Sequence, residues 1–222
     1  MRLFRRIVRL ATITTLLGGA AALVAATSPA ASAAPAAAAD GWIRIAHLSP
    51  QAPAMDMYVY PFGNPGRPVV LKDVSYGAVS AYMAVRPGQY TVAMRGFGAP
   101  ASSKPALTTS FMVSAGTAYT LAALGPDPGL RTEVLKDQMT TPAGEAAVRV
   151  LQASLKQHLV TVSYGPDILA RQLAFGAATP YTAVPPGAQT VRFTAPGQHT
   201  ATPVTLAPAP CTPSWCSTTP PA

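Results

Sequence analysis

Charge is scarce in this chain of 222 residues. Only 11% of them are Asp, Glu, Lys or Arg, and just eight are acidic. Long helices need more Glu, Lys and Leu than this, so a helical architecture is not expected. No two carboxylates share a motif, so the acid–base pair of a glycosidase has no support. Histidine occurs three times, at His47, His158 and His199, in no H-x₃-H or H-E-x-x-H arrangement and far from any cysteine. A metal site and a cofactor are therefore not expected. Cysteine occurs twice, as Cys211 and Cys216, which leaves the body of the chain without a disulfide framework. Basic residues number 16, but Arg2, Arg5, Arg6 and Arg9 precede an apolar run, and without them 12 bases face 8 acids, a balance of +4. The remaining bases are scattered singly with no interleaved aromatics, which argues against a nucleic-acid surface.

What the chain has instead is 24 prolines, 17 glycines and 49% hydrophobic residues. Many short strands joined by Pro/Gly turns suit that composition. The N-terminus reads as a secretory signal peptide over residues 1–33. Four arginines lead an apolar core from Leu10 to Ala26, and Ala31-Ser32-Ala33 supplies a small-x-small cleavage pattern, with cutting expected between Ala33 and Ala34. The apolar run is short for a membrane span, and no second run follows, so no transmembrane helix is expected in the mature chain. Arg5-Arg6 lacks the fuller twin-arginine motif, so the expected route is general secretion to the outside or the cell surface.

One stretch is written twice. Ser75 to Val92 reads S-Y-G-A-V-S-A-Y-M-A-V-R-P-G-Q-Y-T-V, and Ala174 to Val191 reads A-F-G-A-A-T-P-Y-T-A-V-P-P-G-A-Q-T-V, 99 residues further on. Earlier blocks recur at a spacing of 105: Trp42-Ile43-Arg44-Ile45 against Ala147-Val148-Arg149-Val150, and Met55-Asp56-Met57 against Val160-Thr161-Val162. Short alternating runs at Trp42–Leu48, Met55–Tyr60, Val69–Leu71, Tyr82–Val85, Gln89–Met94, Leu107–Val113, Thr117–Leu124 and Leu130–Leu135 read as strands. Pro87-Gly88 is expected at the centre of a type II turn. The expected fold class is all-β: two tandem antiparallel β-sandwiches of immunoglobulin-like arrangement, the second incomplete. An Ala-rich linker spans 34–41, the first sandwich 42–138, a connector 139–146, the second sandwich 147–209, and a Pro/Thr/Cys tail 210–222.

The opening Ile43-Arg44-Ile45-Ala46-His47-Leu48-Ser49-Pro50, followed by Ala52-Pro53-Ala54-Met55-Asp56-Met57-Tyr58-Val59, resembles the start of domain-of-unknown-function family 4397, V-R-V-V-H-A-S-P-D-A-P-A-V-D-V-Y-V. Tyr76 to Tyr82 and Pro87 to Val92 resemble its later blocks. The resemblance implies a secreted, actinobacterial-type protein built of immunoglobulin-like sandwiches, and it carries no activity. The second copy departs from the pattern, with Gln152 in place of His47, Thr161 in place of Asp56 and Leu155 in place of Pro50.

His47, Ser49 and Asp56 supply the residue types of a hydrolase triad, but their spacing is not diagnostic and no G-x-S-x-G elbow is present. A polar cluster at a strand end is the competing reading, with Asp56 facing solvent or bonding a turn. Trp42, Tyr58, Tyr60, Tyr76, Tyr82 and Tyr90 form either a sugar-stacking face or sandwich core. Tyr76 and Tyr82 are expected in the core, while Tyr58 and Tyr60 share one strand face and are the better surface candidates. The binding candidates are thus His47, Asp56, Tyr58 and Tyr60. The expected function is non-enzymatic interaction with an undetermined partner, such as a cell-wall glycan or an envelope protein; the alternative is a hydrolase using His47, Ser49 and Asp56.

The tail breaks the repeat. Where the first copy continues Ala115-Gly116-Thr117-Ala118-Tyr119-Thr120-Leu121-Ala122-Ala123-Leu124, the second gives Ala207-Pro208-Ala209-Pro210-Cys211-Thr212-Pro213-Ser214-Trp215-Cys216-Ser217. Cys211 and Cys216 are one candidate disulfide of a secreted chain. A frameshift near Ala207 to Pro210 is the other account. Joining the third base of each codon to the first two of the next, with the wobble bases chosen to suit, allows P-G-T-V-H-T-L-V-V-L-D-D-P-A-G, which restores the first copy's pattern. Cys, Trp and TCN serine codons put T at the middle position after that shift, and such codons always specify apolar residues.

Overall fold

The computed structural model describes residues 39–208, which form fourteen strands and no helix. The signal peptide with its cleavage site Ala33/Ala34, most of the Ala-rich linker, and the tail with Cys211 and Cys216 lie outside the described residues.

The first lobe is built from β1 (Gly41–His47), β2 (Met55–Pro61), β3 (Val69–Val74), β4 (Met83–Val85), β5 (Gly88–Gly96), β6 (Leu107–Val113), β7 (Ala118–Leu124) and β8 (Arg131–Asp137). They make two four-stranded sheets, ordered β4-β1-β7-β8 and β3-β2-β5-β6. All neighbours are antiparallel except β1 and β7, which run parallel over six residue pairs from Trp42–Ala118 to His47–Ala123. Alternation explains the layering. Ile43 and Ile45 of β1 and Leu121 and Ala123 of β7 face Met57 and Val59 of β2 and Val92 and Met94 of β5 in one shared core. The two sheets thus close on each other in a sandwich-like arrangement. Phe111 and Tyr119 seal one edge, edge to face with ring centroids 6.0 Å apart.

The second lobe holds β9 (Ala146–Val148), β10 (Leu159–Tyr164), β11 (Asp167–Ala174), β12 (Thr182–Val184), β13 (Gly187–Ala195) and β14 (Gln198–Leu206). Its sheets are ordered β11-β10-β13-β14 and β12-β9. The pairings repeat those of the first lobe. Ile43 faces Met83 as Val148 faces Thr182, and the lone bridge Ala46–Val79 has its counterpart in Leu151–Ala178. The hairpin β13–β14 turns on Pro196-Gly197 alone, where the first lobe has a long loop between β5 and β6. Its core is thinner, with Ala146, Val162, Tyr164, Ala170 and Val184 its buried apolar residues.

The repeated Pro-Gly is not a type II hairpin turn. Gly88 is already the first residue of β5, paired to Val113, with φ of 151°. β4 and β5 lie in different sheets, so Pro87-Gly88 is the corner where the chain crosses from one layer to the other. The repeated aromatic-Gly is a second corner. Gly77 and Gly176 have φ of 84° and 80°, a region open to glycine, and each N–H donates to the carbonyl of the residue ending the first strand block, His47 and Gln152.

Candidate functional site

The polar sequence candidates His47, Ser49 and Asp56 each hold backbone in place. His47 is fully buried at the end of β1. Its Nε2–H donates to the Pro53 carbonyl at 3.1 Å, and its Nδ1 accepts the Ser49 N–H at 3.4 Å, so the ring spans the 48–54 loop. Gln152 does the same work in the second lobe. Its Nε2 donates to the Gln157 carbonyl and its Oε1 accepts the Ser154 N–H, both at 2.7 Å. The Ser49 hydroxyl donates to the Gly125 carbonyl at 2.7 Å, tying this loop to the one that follows β7.

Asp56 is also buried, at 1% exposure. Its carboxylate accepts the Asp73 N–H at 3.0 Å and the Gly98 N–H at 3.4 Å, with Lys72 Nζ 4.0 Å away. Of the two roles expected for it, bonding a turn-like irregularity is the one observed. Asp73 has φ of 54°, and the β2–β3 register slips beside it. The second lobe repeats the device with Gln172 at φ 47°, its N–H held by the Thr161 hydroxyl at 3.2 Å. No hydrogen bond joins the Ser49 hydroxyl or the Asp56 carboxylate to the His47 ring among the described residues, so the three residue types are not assembled as a triad.

The aromatics are distributed differently from expectation. Tyr58 is buried, with the Arg95 guanidinium 4.8 Å from its ring centre, and Tyr60 is half-buried. Neither offers the open face expected of a surface pair; the neighbouring strand β5 covers Tyr58 with Arg95. Tyr76, expected in the core, is 61% exposed, because the Gly77 corner turns it outward. Phe97 is 60% and Val79 53% exposed. The three sit on loops fastened to one another around His47. Gly77 donates to the His47 carbonyl, Phe97 N–H donates to the Ala54 carbonyl, and Val79 pairs with Ala46. The result is a braced loop end that presents apolar and aromatic side chains to solvent.

A buried polar cluster centred on Asp137 lay outside the sequence candidates. The Asp137 side chain is fully buried and is shared by two Arg–Tyr pairs, one from each lobe. Arg44 stacks on Tyr82 at 4.7 Å and Arg149 on Tyr181 at 4.6 Å. The Tyr82 hydroxyl donates to Asp137 Oδ2 at 2.6 Å and the Tyr181 hydroxyl to Oδ1 at 3.1 Å. Arg149 pairs with Oδ1, Arg44 Nε lies 3.7 Å from Oδ2, and the Thr120 hydroxyl also donates to Oδ2. Burial, then the hydrogen bond to Asp137, pushes the Tyr82 phenol up to about 12, with Arg44 opposing. Burial and the Asp137 charge push Tyr181 in the same direction. Beside this cluster Ala46, Ala122 and Leu124 of the first lobe pack on Leu151, Ala153 and Phe175 of the second. Every polar group of the cluster is occupied by another, so its evident task is joining the lobes. The recurrence of Arg44/Arg149 and Tyr82/Tyr181 in equivalent blocks was the available sequence signal.

The described residues contain no group of three or more His, Cys, Asp or Glu placed to hold a metal, and no helix long and apolar enough to cross a membrane. Among known families, residues 41–163 match the model described as Domain of unknown function (DUF4397), more than half of the chain and reaching from β1 into β10. No curated protein matches the chain.

Proposed function

The chain belongs to the DUF4397 family, and from that premise we propose that it is an exported protein that binds a component of the cell envelope or its surroundings without catalysing a reaction. The observation that carries this reading is the braced loop end, where Tyr76, Val79 and Phe97 stand exposed on loops whose backbones bond to Ala46, His47 and Ala54. Rigid loops with exposed aromatics bind at little cost in ordering. Supporting it, the side chains with chemical potential have non-reactive equivalents in the second lobe: Gln152 makes the bonds of His47, and Thr161 makes the bulge contact of Asp56. A requirement for hydrogen bonding explains both positions. The alternative of hydrolysis by His47, Ser49 and Asp56 gains no support from this geometry. The matched pairings of β1/β4 with β9/β12, and of β2/β5/β6 with β10/β13/β14, support two tandem immunoglobulin-like sandwiches, the second incomplete. Export rests on the signal-peptide pattern of residues 1–33, and N-terminal sequencing of the secreted protein is expected to start at Ala34.

The test is co-sedimentation of the secreted chain with isolated cell walls, envelope proteins and glycans, against a heat-denatured control. Retention by one of these fractions, lost in a Tyr76→Ala/Phe97→Ala double variant of unchanged thermal stability, is expected. Absence of retention by every fraction overturns the reading.

A further inference from the structure

In the first lobe β1 is paired on both edges, to β4 on one side and β7 on the other. In the second lobe β9 is paired to β12 alone, and no described strand takes the place of β7. An apolar trench opens where that strand would pack. It has a volume of about 310 Å³ and is lined by Val148, Val150, Val162, Tyr164, Val191 and Leu206, among others. These are the register equivalents of Ile43, Ile45, Met57, Val59, Val92 and Val113, which form the core under β7 in the first lobe. A second cleft of about 450 Å³ adjoins it and shares Leu151 and Phe193. The trench thus has the outline of a missing strand, with a backbone edge on β9 to bond it and an apolar floor to receive alternate side chains.

The end of β14 points to the occupant. Leu206 ends β14 opposite Gly187, as Val113 ends β6 opposite Gly88. From Val113 a short turn, 114–117, carries the chain onto the free edge of β1 as β7. The same step from Leu206 leads onto β9. Read in the shifted frame, the residues that follow admit P-G-T-V-H-T-L-V-V-L, aligned with Ala115 to Leu124; Cys211-Thr212 gives only His or Tyr at the position of Tyr119, and Trp215-Cys216 only Val at that of Ala123. In that alignment H, L and V fall at the positions of Tyr119, Leu121 and Ala123, the residues of β7 that pack against the first lobe's core.

We propose that the trench of the second lobe is a strand-acceptor groove, and that its occupant is the strand T-V-H-T-L-V-V-L encoded by the same gene out of the present frame after about Ala207. It lies parallel to β9 and closes the second lobe as β7 closes the first. This inference concerns the second lobe and stands apart from the loop-end binding proposed above.

Two measurements test it. Fluorescence anisotropy of a labelled T-V-H-T-L-V-V-L peptide added to the full chain is expected to show saturable binding. A scrambled peptide of the same composition, or a Val150→Glu chain, weakens it by about tenfold or more, because a carboxylate in the trench has no partner. No saturable binding, or equal binding of the scrambled peptide, overturns the groove; the scrambled control needs no variant to fold. Resequencing codons 205–222 is expected to find the frame change. An intact frame together with a peptide mass for the present C-terminus overturns the assignment of the occupant, whatever the peptide does.

Discussion

His47 is a residue whose chemistry invites a catalytic role and whose neighbours give it a mechanical one. Because Gln152 makes both equivalent bonds in the second lobe, the Gln side chain is a sufficient replacement. His47→Gln is expected to keep stability within about 1 kcal/mol, whereas His47→Ala, which strands the Ser49 N–H and the Pro53 carbonyl, loses about 1–3 kcal/mol. Urea unfolding of the three chains checks this. Tyr82 makes a second residue-scale prediction. Its folded-state phenol, raised to about 12 from 10, holds its proton more tightly than the unfolded chain does. The associated stability is therefore complete below pH 10 and is lost as pH rises towards 12. Tyr82→Phe is expected to flatten that alkaline loss; unfolding midpoints collected across pH 9–12, with absorbance titration of the phenols, measure it. His47 and Asp56 stood out in the sequence, but their bonds did not. Each bond runs to a backbone group, and only a comparison of equivalent positions hints at it.

At the scale of elements, strands were legible and their neighbours were not. Alternation placed β1, β2, β5, β6 and β7 within a residue or two, because one face of each is buried in a common core. The parallel pairing of β1 with β7 joins residues 76 apart, and local pattern carries no record of it. The Pro87-Gly88 corner was misjudged for the same reason: a turn within one sheet and a corner between two use the same residues. The bulges at Asp73 and Gln172 left no sequence signal, since neither residue is glycine. Their left-handed backbone is costly for L-residues, by roughly 1–2 kcal/mol. Asp73→Gly and Gln172→Gly are therefore expected to stabilise the chain, by about 0.5–1 kcal/mol once the greater freedom of unfolded glycine is subtracted. Thermal melts of each single variant provide the measurement.

For the molecule as a whole, the two lobes are unequal partners joined at the Asp137 carboxylate and the apolar contact beside it. The first has a core of fully buried Ile, Met, Leu and Val, and the second has few buried apolar residues and an unfilled trench. Hydrogen exchange is expected to open β9–β14 before β1–β8. Asp137→Ala leaves Arg149, whose side chain is 11% exposed, beside no counter-charge, and breaking such a pair costs about 3–5 kcal/mol. Exchange in that variant is expected to rise across the second lobe while the first lobe's core stays protected; equal loss in both would contradict the division. The register of the first lobe has a mechanical corollary. Trp42, Ala118 and Asp137 stand abreast on three adjacent strands, so the chain enters and leaves that lobe at one end, about 10 Å apart at ordinary strand spacing. Tension along the chain then meets the sheet edge-on and peels it bond by bond instead of shearing it. Tyr76 and Phe97 lie at the opposite end, away from where the chain enters and leaves that lobe.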